Sequence, residues 1–428
     1  MEMGALPTKL RRAVGRMCLV SLWLLPPGHA AGQEIVPRKH SLTIPFPTAS
    51  VSNRSVECVV TLGPSSPVAA LAFSPDGKKL AAGGYQEVLV WDLAKATLWK
   101  RIGAGQLSGS VQSLVFGKAG ALLAVAEGTP RCSGAVRVFE VETGQATAGF
   151  QEPKDVVSCL ALSPDGKLLA AGAADAATYL WSMDEKKLAT TLGEHGERVL
   201  GVAFSADGKF LATGGADRTA RVWEAGTWKA VVKMEQVETV QGLAFSPDGQ
   251  FLALAVGGSS ERAIRIRRRD NAQLARTIET GAAMPLDVVW GAQGNRLLVP
   301  CSDKKVRVFD AGNGNLLATL SGHGGWVLCV AAGPDGTTVA SGSADGTVKL
   351  WSAADWRLLA TLVQLSPRSD EWLLVTTAGY LATSSPGALA WKTANLKTPP
   401  DKLTSLFQNP DLLRQALSGN KVPPPTVE

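Results

Sequence analysis

Short runs of alternating apolar and small residues recur along the chain, each ending in a tight turn and followed by a second short apolar run. Val68-Ala69-Ala70-Leu71-Ala72-Phe73 and Val199-Leu200-Gly201-Val202-Ala203-Phe204 are two of the first kind. Leu80-Ala81-Ala82 and Phe210-Leu211-Ala212-Thr213 are two of the second. A period of two over so few residues is the signature of a β-strand. A third strand follows and ends on a bulky residue: Trp91, Phe139, Trp181, Trp223, Arg267, Phe309 or Trp351.

The turn between the first two runs fixes the period. Its glycine falls at 77, 120, 166, 208, 249, 294 and 336, with gaps of 43, 46, 42, 41, 45 and 42 residues. Ser74 to Gly77, Ser163 to Gly166 and Ser246 to Gly249 read Ser-Pro-Asp-Gly, Ser205 to Gly208 replaces the proline with Ala206, and Gly333 to Gly336 is a fifth copy. Proline presets φ at the second turn position, aspartate bonds back to the backbone, and glycine accepts the positive φ that closes a hairpin. Gly117 to Gly120 and Gly291 to Gly294 are weaker copies.

This unit resembles the WD40 repeat, whose period is 40 to 45 residues and whose four strands build one propeller blade. The resemblance implies an all-β, WD40-type β-propeller over residues 56–392, with seven clear repeats. It also implies a buried tetrad of His, Ser or Thr, Asp and Trp. Two repeats match in full, His195, Thr213, Asp217 and Trp223, then His323, Ser341, Asp345 and Trp351, with identical internal spacings. Asp175 with Trp181 and Asp303 with Phe309 keep part of the set, while Arg267 replaces the aromatic in the fifth repeat, which should be the loosest of the ring.

In such rings each repeat gives its first strand to the preceding blade, so Val56 to Leu62 should finish the last one. Arg357 to Val363 competes for the same edge. A degenerate eighth repeat over Glu371 to Lys392 removes the conflict, since Gly379 lies 43 residues after Gly336. Eight blades are therefore preferred over seven. The same stretch resembles the end of many bacterial WD40 proteins, which continue into a short helical tail. Here that tail is residues 393–428, with Asp411 as cap and Gly419 as stop. Capping the ring is the preferred role for this tail over docking a partner.

Composition adds a compartment. Residues 1–30 read as an export signal: a basic stretch to Arg16, nine apolar-core residues from Met17 to Leu25, and the small-residue run Gly28 to Ala31, with cleavage expected after Ala30. Nine residues are too few to span a bilayer, which disfavours a retained anchor. Arg11-Arg12 fits a twin-arginine signal poorly. Residues 31–55 read as a linker. The net charge of +6 falls to +3 once residues 1–30 are set aside, too little for a nucleic-acid footprint. Cys58, Cys132, Cys159, Cys301 and Cys329 are odd in number and widely spaced, so neither a disulfide framework nor a metal site is expected, and Cys159 and Cys329 should be buried thiols on inner strands.

No catalytic apparatus emerges. Of four histidines, His29 and His40 precede the repeats and two belong to tetrads; phosphate-loop, nucleophile-elbow and HExxH motifs are lacking. The chain is expected to be a non-enzymatic, periplasmic or extracellular bacterial scaffold without cofactor. The alternative is an exported ligand-binding or hydrolytic propeller that uses its axial channel. Arg265 to Arg269 reads as a solvated strand face more readily than as an anion site. A protein or peptide partner should meet the narrow face, where first strands begin. Ten residues before the turn glycines stand Pro67, Ser110, Val156, Arg198, Thr239, Met284 and Trp326. Trp326 and Arg198 are hot-spot types and lead the set, with Met284, Val156 and Thr239 beside them.

Overall fold

The computed structural model describes residues 40–46, 55–62, 66–394 and 400–425. The export segment 1–30 lies outside the described residues. Six four-stranded antiparallel sheets, residues 70–102, 110–150, 157–192, 199–235, 240–279 and 289–321, and a larger seventh whose first four strands span 327–364, follow one another as blades. Within a blade the strands run in chain order from the axis to the rim. The inner strands touch in sequence, and that of blade seven touches that of blade one.

The turns explain why each blade begins as a hairpin. In blade one the Gly77 amide donates to the Ser74 carbonyl at 2.8 Å with φ of +69°. Ser74 Oγ accepts from the Lys79 amide at 2.9 Å, and Asp76 accepts from the Lys78 amide at 3.0 Å. The Ser74 hydroxyl, donating to Asp76, holds that carboxyl below the usual carboxylate range. The same pattern repeats at Ser163, Ser205 and Ser246.

Adjacent blades are sealed by a valine entering the space above a glycine. A Cβ on Gly83 would meet Val111 at 2.5 Å, one on Gly172 would meet Val199 at 2.6 Å, and one on Gly214 would meet Val240 at 2.7 Å. Gly342 of blade seven meets Val68 of blade one in the same way, at 2.7 Å, and the Val68 amide donates to the Ser343 carbonyl at 3.0 Å. The closing seam thus repeats the device of three other seams, and the ring is complete at seven.

This corrects the expectation of an eighth blade. Leu358–Gln364 is the fourth strand of blade seven, paired from Thr347↔Val363 to Trp351↔Leu358 with one register shift between Leu350 and Trp351. A local turn through Trp356, with φ of +61°, delivers it, and closing so short a loop costs less entropy than recruiting a strand from the far end of the chain. Trp372–Thr376 and Leu381–Thr383 then widen blade seven to six strands. Leu389–Ala394 leaves the blade and pairs with Ser55–Leu62, which pairs in turn with His40–Phe46, a strand inside the stretch read as linker. The N-terminal strand therefore closes a separate three-stranded sheet instead of the last blade.

A satellite core joins this sheet to blade seven: Val60, Val363, Leu373, Val375 and Leu381 pack with Leu403 and Phe407 of helix α1 (Pro400–Phe407). Trp391 stacks on Phe407 at 5.1 Å and donates to Thr404 Oγ1 at 2.9 Å. Helix α2 (Pro410–Leu417) buries Leu413 and Leu417 against the blade one and blade seven core. Asn409, not Asp411, caps it by accepting from the Leu412 amide, and Gly419 ends it with φ of +83°. Among the described residues no helix is long and apolar enough to cross a membrane.

Candidate functional site

The axis of the ring is an open cavity of 930 Å³ lined by the inner strands. One repeated hydrogen bond sets the level of its mouth. The carbonyls of Val156, Arg198, Thr239, Met284 and Trp326 accept from the amides of Ala174, Ala216, Gly257, Ser302 and Ala344 at 2.9 to 3.0 Å. All five predicted partner residues line this cavity together with Ser110, whereas Pro67 does not. Arg198, Thr239, Met284 and Trp326 are half-buried, but Val156 is 9% exposed and offers little to a partner.

Four charged groups on this cavity had no place in the sequence reading. Arg218, Glu238 and Arg262 line this cavity beside the rim set, and so does Asp287, three residues after Met284 in the segment that leads into the short inner strand of blade six. Glu238 accepts from the Ser260 amide at 2.8 Å, and Arg262 donates to the carbonyls of Gly258 and Ala282 at 3.1 and 2.8 Å. Asp287 has one protein donor, the amide of Val288 at 2.8 Å. Burial pushes its carboxyl up to about 7, and only that amide opposes the shift. The signal was available in the turn count: seven residues before the turn glycine the other blades carry Ala70, Ser113, Cys159, Gly201, Gly242 and Cys329, all neutral.

Behind the mouth, the two full tetrads are hydrogen-bonded chains. His195 Nδ1 lies 2.9 Å from Asp217, His195 Nε2 lies 2.8 Å from Thr213 Oγ1, and the Trp223 indole donates to that hydroxyl at 3.0 Å. Burial holds His195 below the ordinary histidine range despite Asp217, so the ring is neutral at pH 7. A neutral ring that donates from Nδ1 and accepts at Nε2 satisfies all three contacts. Blade seven repeats this with 3.3 Å from His323 Nδ1 to Asp345, 2.8 Å from Nε2 to Ser341, and 2.8 Å from Trp351 to Ser341. Burial alone would raise Asp345, but His323, the Thr347 hydroxyl and the Gly324 amide outweigh it and hold the carboxyl well below the usual range. The threonine two residues after each Asp, Thr219 or Thr347, is a fifth member that the sequence reading missed, although Asp-x-Thr recurs at the same spacing. These carboxylates are engaged in holding their blades.

The remaining blades substitute other devices. Asp175 accepts from Tyr179 OH at 2.8 Å, while Trp181 turns its indole to Glu152 at 3.1 Å. Asp303 takes a two-pronged bond from Arg307 at 3.0 and 2.7 Å. Glu127, fully buried, accepts from the Gly109 amide at 3.0 Å and from Arg137 at 2.8 Å. Glu87, 2% exposed, gathers Arg101, Gln364 and the Arg368 amide, tying blade one to the extension of blade seven.

The arginine run is spoken for: Arg265 grips Glu261, Arg267 donates to the Ala272 carbonyl, Arg268 meets Asp270, and Arg269 lies 3.9 Å over Phe210. Blade five pairs its middle strands from Phe251↔Arg268 to Gly257↔Arg262 and keeps a six-residue inner strand, Val240–Phe245. The break is in blade six, whose inner strand is only Val289–Trp290. Pro300 explains it. Its carbonyl accepts from the Leu286 amide at 2.9 Å, so its nitrogen faces the inner strand too, where proline has no hydrogen to donate.

A family model described as "WD domain, G-beta repeat" matches residues 56–92, 144–182, 186–224 and 314–352. Over 134 residues the chain is 32% identical to transducin beta-like protein 3 of Bos taurus, a stretch that is 30% of this chain and spans 16% of that relative's length. The matched segments 186–224 and 314–352 each begin with the outer strand of one blade and end with the third strand of the next, so the sequence repeat and the blade are offset by one strand. Such propellers commonly mediate protein interactions. With seven blades around an axial cavity the chain is an all-β, seven-bladed β-propeller, and four of its stretches match the WD40 repeat.

Proposed function

We propose that the chain is a non-enzymatic scaffold, exported to the periplasm or surroundings of a bacterial cell, that holds a protein or peptide partner on the narrow face of its ring. The observation that carries this reading is the convergence of Trp326, Arg198, Met284 and Thr239 on one cavity mouth, half-buried and held at one level by a shared backbone bond. A rigid rim that presents an indole, a guanidinium and a thioether above a largely apolar wall suits an anchor-and-pocket contact. The tetrad carboxylates serve the blades rather than a reaction.

Crosslinking in the native cell, followed by capture with wild-type chain and Trp326→Ala, tests it. The variant should lose at least about tenfold in capture of the crosslinked partner while its melting temperature moves little. Full capture by the variant, or lost capture that merely tracks a lowered melting temperature, overturns the assignment. Export is tested by N-terminal sequencing of protein from cell fractions. A mature chain starting near Ala31 outside the cytoplasm is the expected result, and an intact residue 1–30 segment in the cytoplasm overturns it.

A further inference from the structure

The channel wall carries many Leu, Ala and Val residues with hydroxyls and amides among them, and beside Arg198, Arg218, Glu238 and Arg262 its described lining holds one more charged group, Asp287. Blade six departs from the common pattern to accommodate it. Pro300 opens the ladder opposite, and Gly242 of the neighbouring blade leaves the room, since a Cβ there would fall 2.1 Å from Asp287 Oδ1. The carboxyl has Val288's amide on Oδ1 and no cation among its described neighbours. The titratable groups that face it are Cys159 and Cys329, whose thiols burial and the Asp287 charge push up, Cys159 to about 12, so both stay neutral. Neutral thiols are poor metal ligands, and among the described residues no group of three His, Cys, Asp or Glu comes together. A half-buried carboxylate with one protein hydrogen bond is held less well than the tetrad carboxylates, and a cation that entered the channel would pair with it.

We propose that the channel is a binding site for an alkylammonium group, with Asp287 as its counter-ion and the walls formed by Leu200, Leu286 and Leu328 as the seat of its apolar stem. The volume of 930 Å³ is that of a small-ligand pocket, and Asp287 lines it together with these leucines. One carboxylate in an apolar tube selects for a single positive charge on a hydrophobic stem, because a divalent ion would lack ligands and a neutral ligand would leave the charge unpaired. A free small amine and a lysine side chain of a polypeptide share this chemistry. The proposal does not depend on the rim: capture through Trp326 tests that reading, and failure of either leaves the other standing.

The test titrates the full chain with n-hexylammonium chloride and, as neutral control, n-hexanol, by calorimetry at pH 8 and pH 6. Wild type should bind the ammonium at pH 8 and about tenfold more weakly at pH 6, as the carboxyl takes up its proton across that interval. Asp287→Asn should abolish this binding and leave that of hexanol unchanged. Gly242→Ala, which crowds the carboxyl, should weaken it. A blocked peptide with one lysine, compared with its norleucine counterpart, separates the sources: displacement of hexylammonium by the lysine peptide assigns the site to a polypeptide, and its failure assigns it to free amines. Melting curves give a second readout. If Asp287 waits for a cation, Asp287→Asn melts higher than wild type at pH 8 and the same near pH 4. Equal binding of hexanol and hexylammonium, undiminished binding by Asp287→Asn, or a lower melting temperature of that variant at pH 8, which would make Asp287 a brace for Val288, overturns the proposal.

Discussion

Blades six and seven stand side by side and differ in what their polar groups are for. Blade seven spends an aspartate, a histidine, a serine and a tryptophan on a closed network in which every member has a partner. Its inner strand runs unshortened from Val327 to Ala332. Blade six lacks the network, loses all but two residues of its inner strand opposite Pro300, and turns an almost unpartnered carboxyl into the channel. The same architecture therefore tolerates a shortened inner strand beside a fully networked blade. The irregular wedge is also the one that carries a charge fit for a ligand, as expected when local rules are broken at a functional position.

The largest effect that would sharpen the contrast is in blade seven. Asp345→Ala leaves His323 and the Thr347 hydroxyl buried without their acceptor and should cost about 1–3 kcal/mol in chemical denaturation. An unaltered unfolding curve would break the assignment. Acid should separate the two blades by sign. Asp345 is held below the ordinary carboxylate range, so its stabilisation is present above about pH 4 and is lost as pH falls through the depressed value. Asp287 is held above that range, so its ionisation costs stability as pH rises toward 7. Melting curves of Asp345→Ala should thus approach wild type in acid, and those of Asp287→Asn should exceed it only toward neutral pH; shifts of the same sign in both variants would dissolve the distinction.

Pro300→Ala should come next, returning a donor to the inner strand of blade six and adding about 0.5–1.5 kcal/mol, read as slower hydrogen exchange in residues 285–289. No change in that segment would mean that Asp287, not the proline, holds the ladder open. The smallest effect belongs to Asp303→Ala. Its pair with Arg307 is partly solvent-exposed, at 33% and 16%, and removal should cost under about 1 kcal/mol in the same denaturation assay. A loss as large as that of Asp345→Ala would show blade six to be locked after all.

Much of this was legible from residue order alone. The seven turns were, because Ser-Pro-Asp-Gly has a mechanism at each position and recurs at a nearly fixed interval. The two full tetrads were, because histidine is scarce in this chain and their spacings coincide. Closure was not. It turned on whether Leu358–Gln364 or Ser55–Leu62 reached the last edge first, a contest decided by loop length and by the satellite packing of Val60, Leu373 and Phe407 that no local pattern encodes. Asp287 was overlooked because it occupies a register position where small neutral residues are the rule. Its meaning appears only once Pro300 and Gly242 are seen to flank it.

Every blade is completed by strands that are consecutive in the chain, and none is borrowed from another blade. A ribosome emitting this polypeptide thus delivers each wedge whole, and nascent chain can settle blade by blade without waiting for residues not yet made. The exception is the last act, when Val68 must find Ser343 and Ser55–Leu62 must find Leu389–Ala394. Until that meeting, two apolar flanks stand open, and the interval before it is when a chaperone would matter most to this molecule.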